Sequence, residues 1–400
     1  MNAERAEVPS RAASGAGISC GGDASKPERI MFPARWIAQS VCKPLSPENN
    51  VSYRSAIHQF VIEMPKVELH VHLEGTVTWS TLRDFTRGNT LCTSASHVAP
   101  PTGQYQFRDF PHFIEGFIAV CTQLKTAAHF HRIVVEYGAE LARQHVLYAE
   151  LHVNPEPHVR RHDIPFPELL TGLNSGRDEV LNRWGVQLRW IFDGVRDAAT
   201  GTRSVDLTVD WIVGAPSDSG IVALGLGGDE VDHPPEPFMD AFTRARSAGM
   251  HTVAHAGETT SPAMIWRTLE VLGVERIGHG LSALQDEILV AHLAAKDIPL
   301  EICPTSNQRT GLIASAAEHP WPELDAAGVR ITLNSDDPAL FGVSLTDEFL
   351  LAADRGYDAD ALQRLSLNAV DACFLPDNEK QALRFKFQNE FVALRSRLSL

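Results

Sequence analysis

The sequence lacks the marks of several large protein classes. Its six cysteines, at positions 20, 42, 92, 121, 303 and 373, show no paired spacing and no Cys-x-x-Cys. That excludes a disulfide scaffold and leads us to expect reduced thiols in a cytoplasmic protein. No apolar run approaches the roughly 20 residues of a membrane-spanning helix, and no apolar signal core opens the chain, so no membrane partner is expected. Basic residues are scarce: 35 against 50 acidic ones, a formal net charge of −15. Gripping a phosphate backbone needs clustered Lys and Arg, so no nucleic-acid partner is expected either. The one basic knot, His158-Val159-Arg160-Arg161-His162, is short and reads as a solvated loop. No Gly-x-Gly-x-x-Gly follows the first β-like run and no Walker-type phosphate loop occurs, which leaves a doubly wound nucleotide fold without its anchor.

What the chain does have is bulk and rhythm. Apolar residues make up 44% of 400, enough for one large core. Residues 1–60 differ from the rest. Positions 12–26 are rich in Gly, Ala and Ser without a period, and the segment reads as a disordered extension ahead of one domain spanning 61–400. From residue 66, eight apolar β-like runs follow one another, at 67–72, 146–152, 187–195, 221–227, 251–256, 276–280, 299–303 and 330–335. Helix-sized stretches separate most of them. One of these, 262–272, starts with Ser261 as a cap and Pro262 at the first helical position. The pattern predicts an α/β fold, a TIM (β/α)8 barrel. A helical insertion at 77–144 follows the first strand, and extra C-terminal helices over 346–374 and 380–398 close the chain. Within the insertion Phe107, Phe110, Phe113 and Phe117 share a helical face; at least half are expected in the core, with one or two roofing an aromatic ligand.

The chemistry begins at His70-Val71-His72-Leu73-Glu74-Gly75. Side chains two apart on a strand share a face, roughly 6.6 Å apart along the chain, so His70 and His72 can hold one cation together. Gly75 lets the backbone turn away. In a barrel of this kind, catalytic groups gather at the C-terminal ends of strands. That rule selects His70 and His72, then Gly225, Gly227, Gly228, Asp229 and Glu230, then His255, Gly257 and Glu258, then His279, then Asp336 and Asp337. Three imidazoles and one carboxylate suit zinc with a position left open for water, and the ligands are read as His70, His72, His255 and Asp336. No Lys ends the fourth strand to bridge a second metal, so one Zn2+ per chain is expected. Glu258, three residues beyond a ligand and next to Gly257, is placed to move protons. His279, flanked by glycines, is placed to orient or deprotonate the water or to stabilise charge.

These residues resemble the adenosine deaminase family of the amidohydrolase group. The matching pieces are His-Val-His-Leu-Glu-Gly (70–75), Gly-Gly-Asp-Glu (227–230), His-Ala-Gly-Glu (255–258), Arg-Ile-Gly-His-Gly (276–280), Cys-Pro-Thr-Ser-Asn (303–307) and Asn-Ser-Asp-Asp-Pro (334–338). The resemblance covers about 64–375. It implies zinc on His70, His72, His255 and Asp336, with Glu258 donating a proton to purine N1 and His279 positioning the attacking water. It also implies that Asp337 bonds N7 and the Gly228 amide N3, so that water replaces the 6-amino group of a small purine. The zinc deaminases of the other class pair His-x-Glu with Pro-Cys-x-x-Cys, and the cysteine half is missing here.

Glu74 departs from the Asp of adenosine-preferring members, on the ribose side of the pocket. It is similar to adenine deaminases and to members acting on 5′-modified adenosines. Arg189-Trp190-Ile191-Phe192-Asp193 and His255-Ala256-Gly257-Glu258-Thr259-Thr260 resemble an actinobacterial branch that includes deaminases of aminodeoxyfutalosine, a menaquinone precursor with a carboxylate-bearing 5′ group. The substrates implied are adenosine first, then aminodeoxyfutalosine, then adenine. Arg160 and Arg161 are candidates for an anionic tail. A catalytically silent purine-binding relative is the alternative of another class, and one in which a ligand or the acid is usually lost; here every such position is filled.

Overall fold

A computed structural model describes residues 47–86, 105–197 and 199–400. Eight parallel strands run in sequence order around a barrel: β1 (Lys66–His72), β2 (Val146–Val153), β3 (Gln187–Arg196), β4 (Ile221–Gly228), β5 (His251–Ala256), β6 (Arg276–His279), β7 (Leu300–Ile302) and β8 (Ile331–Leu333). The TIM-barrel expectation is met, with helices packed outside. All seven residues of β1 are buried. One side of the strand carries Val67, Leu69 and Val71, and the other carries Lys66, Glu68, His70 and His72. Its alternation therefore separates two buried faces, apolar against the helices and polar toward the barrel interior.

The ring closes where β8 returns to β1. The side chain of Asn334 accepts from the amides of Leu69 and His70 at 3.0 and 3.1 Å. His72 N–H donates to the Asp336 carbonyl at 2.8 Å, and Asp336 N–H to that of His70 at 3.1 Å. The Glu68 carboxylate seals the seam, accepting from the Ser335 amide at 3.0 Å and the Tyr137 hydroxyl at 2.6 Å. Closure thus sets the Asp336 backbone beside the two histidines of β1.

Several expected boundaries shift. The stretch 346–374 is two helices, Leu345–Asp354 and Ala359–Ala372. Gly356, at φ +92°, breaks the run, and the Asp358 side chain caps the second helix by accepting from Ala361 N–H. Ser261 makes no side-chain cap bond, so Pro262 alone marks that helix start. The extension expected over 1–60 lies mostly outside the described residues. Its end is ordered as the helix Pro47–Glu63, which buries Ile57, Phe60 and Val61 in the core, so the domain begins before residue 61. Cys121, Cys303 and Cys373 are free and buried; the other three cysteines lie outside the described residues. Among the described residues, no helix is long and apolar enough to cross a membrane.

Candidate active site

The predicted ligands meet at the C-terminal rim. His72 Nε2 lies 3.2 Å from His255 Nε2 and 3.4 Å from Asp336 Oδ1, and His70 Nε2 lies 3.6 Å from the same oxygen. His70, His72 and His255 offer ligand atoms within 4.8 Å of one another. Asp336 sits at φ +63°, a left-handed backbone that a non-glycine residue holds only when its surroundings enforce it. Burial pulls His72 down to about 3, and burial with the neighbouring imidazoles holds His255 well below its ordinary value, so both are neutral and free to donate a lone pair. His70 Nε2 is buried without a partner. An unpartnered His70 Nε2, two neutral imidazole nitrogens facing each other on His72 and His255, and one carboxylate oxygen beside His70 and His72 fit a divalent ion.

The far sides of these rings are braced. His70 Nδ1 is 2.6 Å from Glu301 Oε2, and Glu301 also accepts from Arg276 Nε at 2.6 Å. His255 Nδ1 donates to the Leu226 carbonyl at 3.1 Å. Such partners fix tautomer and ring orientation. Ser306 Oγ donates to Asp336 Oδ2 at 2.6 Å, leaving Oδ1 toward the imidazoles.

Glu258 and His279 stand beside this cluster. Burial, then the charges of Asp336 and Glu230, hold the Glu258 carboxyl well above the usual range, which favours its protonated form. Glu230 accepts from the amides of Gly257 and Glu258 at 2.7 and 3.0 Å and so fixes the turn that aims Glu258. His279 is left-handed at φ +59°, and its Nε2 lies 3.7 Å from Glu258 Oε2 and 3.8 Å from Asp336 Oδ2. Burial depresses it to about 4. Asn307 ties the two together, donating from Nδ2 to His279 Nδ1 at 3.3 Å and to Glu258 Oε1 at 3.4 Å. A Cβ at Gly278 would stand 2.8 Å from His70 Cε1, so that glycine spares the ligand ring as well as His279.

A cavity of about 250 Å³ opens onto these groups and is lined by His72, His255, Glu258, His279, Asp336, Asp337 and Gly228. Asp337 is buried, and burial together with Asp336 raises its carboxyl well above the usual range. Gly75 works by close approach rather than by turning: a Cβ there would lie 1.9 Å from Asp337 Oδ1. Phe110, Phe113 and Phe117 line the cavity, three rather than one or two. Phe107 lies ahead of the helix Phe110–Cys121 and packs on Phe113 and Phe341 instead.

Glu74 is not on the cavity wall. Its buried carboxylate accepts from the Asn154 amide at 2.9 Å and pairs with His158 Nε2 at 3.1 Å. The basic knot is no loop: it ends the helix Pro155–His162, and both Arg160 and Arg161 line the cavity. Arg160 is held by Glu156 at 2.7 Å, whereas Arg161 makes no hydrogen bond or ion pair among the described residues. Sequence reasoning missed His152, Glu301 and Arg196, which donates to the His255 carbonyl at 2.7 Å, and gave no role to Asp193, Ser306 and Asn307, quoted only within the matching motifs. His152 ends β2 and Asp193 lies in β3, so applying the strand-end rule to every strand would have found the first.

Residues 65–389 match the family model described as adenosine deaminase. The aminodeoxyfutalosine deaminase of Streptomyces avermitilis is 38% identical over 325 residues, covering 80% of this chain and 89% of that protein. The adenine deaminase of Pseudomonas savastanoi pv. phaseolicola is 32% identical over 317 residues, covering 79% and 98%. The crystal structure of an amidohydrolase from Burkholderia ambifaria with bound Zn superposes with a TM-score of 0.75 at 25% identity, covering 90% of this chain and 98% of that one.

Proposed function

This chain belongs to the adenosine deaminase family, and from that premise we propose that it is a zinc-dependent hydrolase replacing the 6-amino group of a purine nucleoside with oxygen. The observation that carries the reading is the buried Glu258 carboxyl, its pKa pushed up by burial and by Asp336 and Glu230, standing beside the cluster of His70, His72, His255 and Asp336. When held by those four residues, zinc supplies a water whose pKa falls to about 7, a nucleophile at neutral pH.

Addition at C6 requires the ring to accept an electron pair, which it does when N1 takes up a proton. Burial and the carboxylates of Asp336 and Glu230 favour the protonated form of Glu258, which is the form this step needs. His279, with Nδ1 accepting from Asn307, presents Nε2–H to the site and holds the attacking oxygen in line with C6. Asp337, whose carboxyl burial and Asp336 push up toward its protonated form, donates to N7, and the Gly228 N–H donates to N3. Phe113 and Phe117 cover the ring and keep out competing water. Ammonia leaves from C6 and a 6-oxopurine remains.

For the substrate, Arg160 and Arg161 on the cavity wall support a nucleoside with an anionic 5′ extension, of the aminodeoxyfutalosine kind, ahead of adenosine and adenine. The relative at 38% identity bears that name. The test is one zinc-loaded preparation assayed on all three compounds for ammonia release and a hypoxanthine-type absorbance change. The expected result is turnover, with the highest kcat/KM on the 5′-extended nucleoside. Binding of one of them with no ammonia release from any of the three would overturn the catalytic reading in favour of a silent relative.

A further inference from the structure

The three imidazoles of the cluster are not braced alike. His70 and His255 each have Nδ1 within hydrogen-bond distance of an acceptor, Glu301 at 2.6 Å and the Leu226 carbonyl at 3.1 Å. His72 Nδ1 is buried and unpartnered, and Asp193 Oδ2 stands 3.7 Å from it. An imidazole that gives its Nε2 lone pair to a cation carries its proton on Nδ1, so His72 needs an acceptor there. Asp193 reaches toward it from β3, across His152 of β2, which is the register partner of His72. Both Asp193 oxygens lie 3.0 Å from His152 Nδ1. On its other side Asp193 faces Gly225 of β4, its own register partner. A Cβ at 225 would stand 1.7 Å from Asp193 Oδ1. Gly225 has no left-handed backbone to explain it, so the missing side chain is what lets the carboxylate sit there.

We propose that Asp193 is the positioning residue for His72, closing on Nδ1–H when the ion is bound, with His152 clamping the carboxylate and Gly225 vacating its space. The geometry joins four adjacent strands, β1 to β4, in one brace. His152 is then a clamp rather than a metal ligand, although His72, His152 and Asp193 also offer atoms within 4.8 Å of one another.

This inference rests on the four-residue metal site, so the wild-type protein is titrated first. Zinc affinity and stoichiometry are measured by chelator competition, and cobalt is substituted to read the visible ligand-field spectrum. Failure of wild type to bind zinc would remove the metal site itself. With binding established, Asp193→Ala and Gly225→Ala should each weaken zinc by about 10–100-fold and shift the cobalt spectrum, although neither removes a ligand. The double variant should lose little more than either single one, because both abolish the same contact. Asp193→Asn, which keeps shape and one acceptor oxygen, should recover part of the affinity, and it remains the deciding variant if Asp193→Ala does not fold. Unchanged zinc affinity and cobalt spectrum in Asp193→Asn and Gly225→Ala would overturn the proposal. So would two zinc ions per wild-type chain with the second lost in His152→Phe.

Discussion

Gly75 and Asp337 illustrate how little space the site's carboxyls have. Replacing Gly75 by Ala puts a methyl where the Asp337 carboxyl lies. The variant should keep its metal but lose kcat/KM by about tenfold or more, the scale of a misplaced hydrogen bond to a charged or strongly polar partner; metal content and steady-state kinetics on one sample check this. Glu258→Gln removes the proton rather than the shape. It should retain zinc and drop kcat by about 10²–10⁴-fold, the usual worth of a positioned general acid, and near-normal turnover would take Glu258 out of the mechanism. These residues were legible in the sequence because they end apolar strands as charged or imidazole side chains. Asp193 and Glu301 were not, because a buried carboxylate inside a strand is recognisable only once its partner on the next strand is known, and pairing is set by closure.

At the scale of elements, the helix Pro155–His162 carries the least expected content. Read as a solvated loop, it is instead anchored at Asn154 and His158 by the buried Glu74 and presents two arginines to the cavity. Arg161→Ala should raise KM for a 5′-anionic nucleoside by about 10-fold or more while leaving adenosine nearly unaffected, since one charge-assisted bond is worth about 1.5–3 kcal/mol; equal effects on both substrates would mean that Arg161 does not meet the tail. The helix Leu345–Asp354 holds a different device. Glu348 is buried, accepts from Thr305 N–H at 2.9 Å, and is lifted by burial from 4.5 to about 8. A carboxyl raised in the folded state stabilises it fully below the unfolded pKa, and that contribution is lost as pH rises through 8. Glu348→Gln, which keeps the acceptor, should therefore melt like wild type near pH 4 and increasingly above it between pH 5 and 8.5. A difference in Tm that does not change with pH would contradict the assignment.

The whole molecule is a ring whose last strand completes its first. Eight apolar runs and their order were visible in the sequence because strands buried on both faces read as apolar runs separated by helix-sized stretches, even where the strand itself is as short as β7 or β8. The barrel reading implied that β8 joins β1, but not the contacts of that seam, where one side chain, Asn334, replaces ladder partners for Leu69 and His70. That seam carries Asp336 to within 3.4 Å of His72 and turns residues far apart in the chain into one cluster. The most direct test is elemental analysis of the purified full-length protein, paired with ammonia release from the 6-aminopurine panel before and after chelation. The account predicts one zinc per chain, activity lost with the metal and restored by adding zinc alone. Deamination that persists in protein stripped of metal, or a chain that binds no divalent ion, would contradict it.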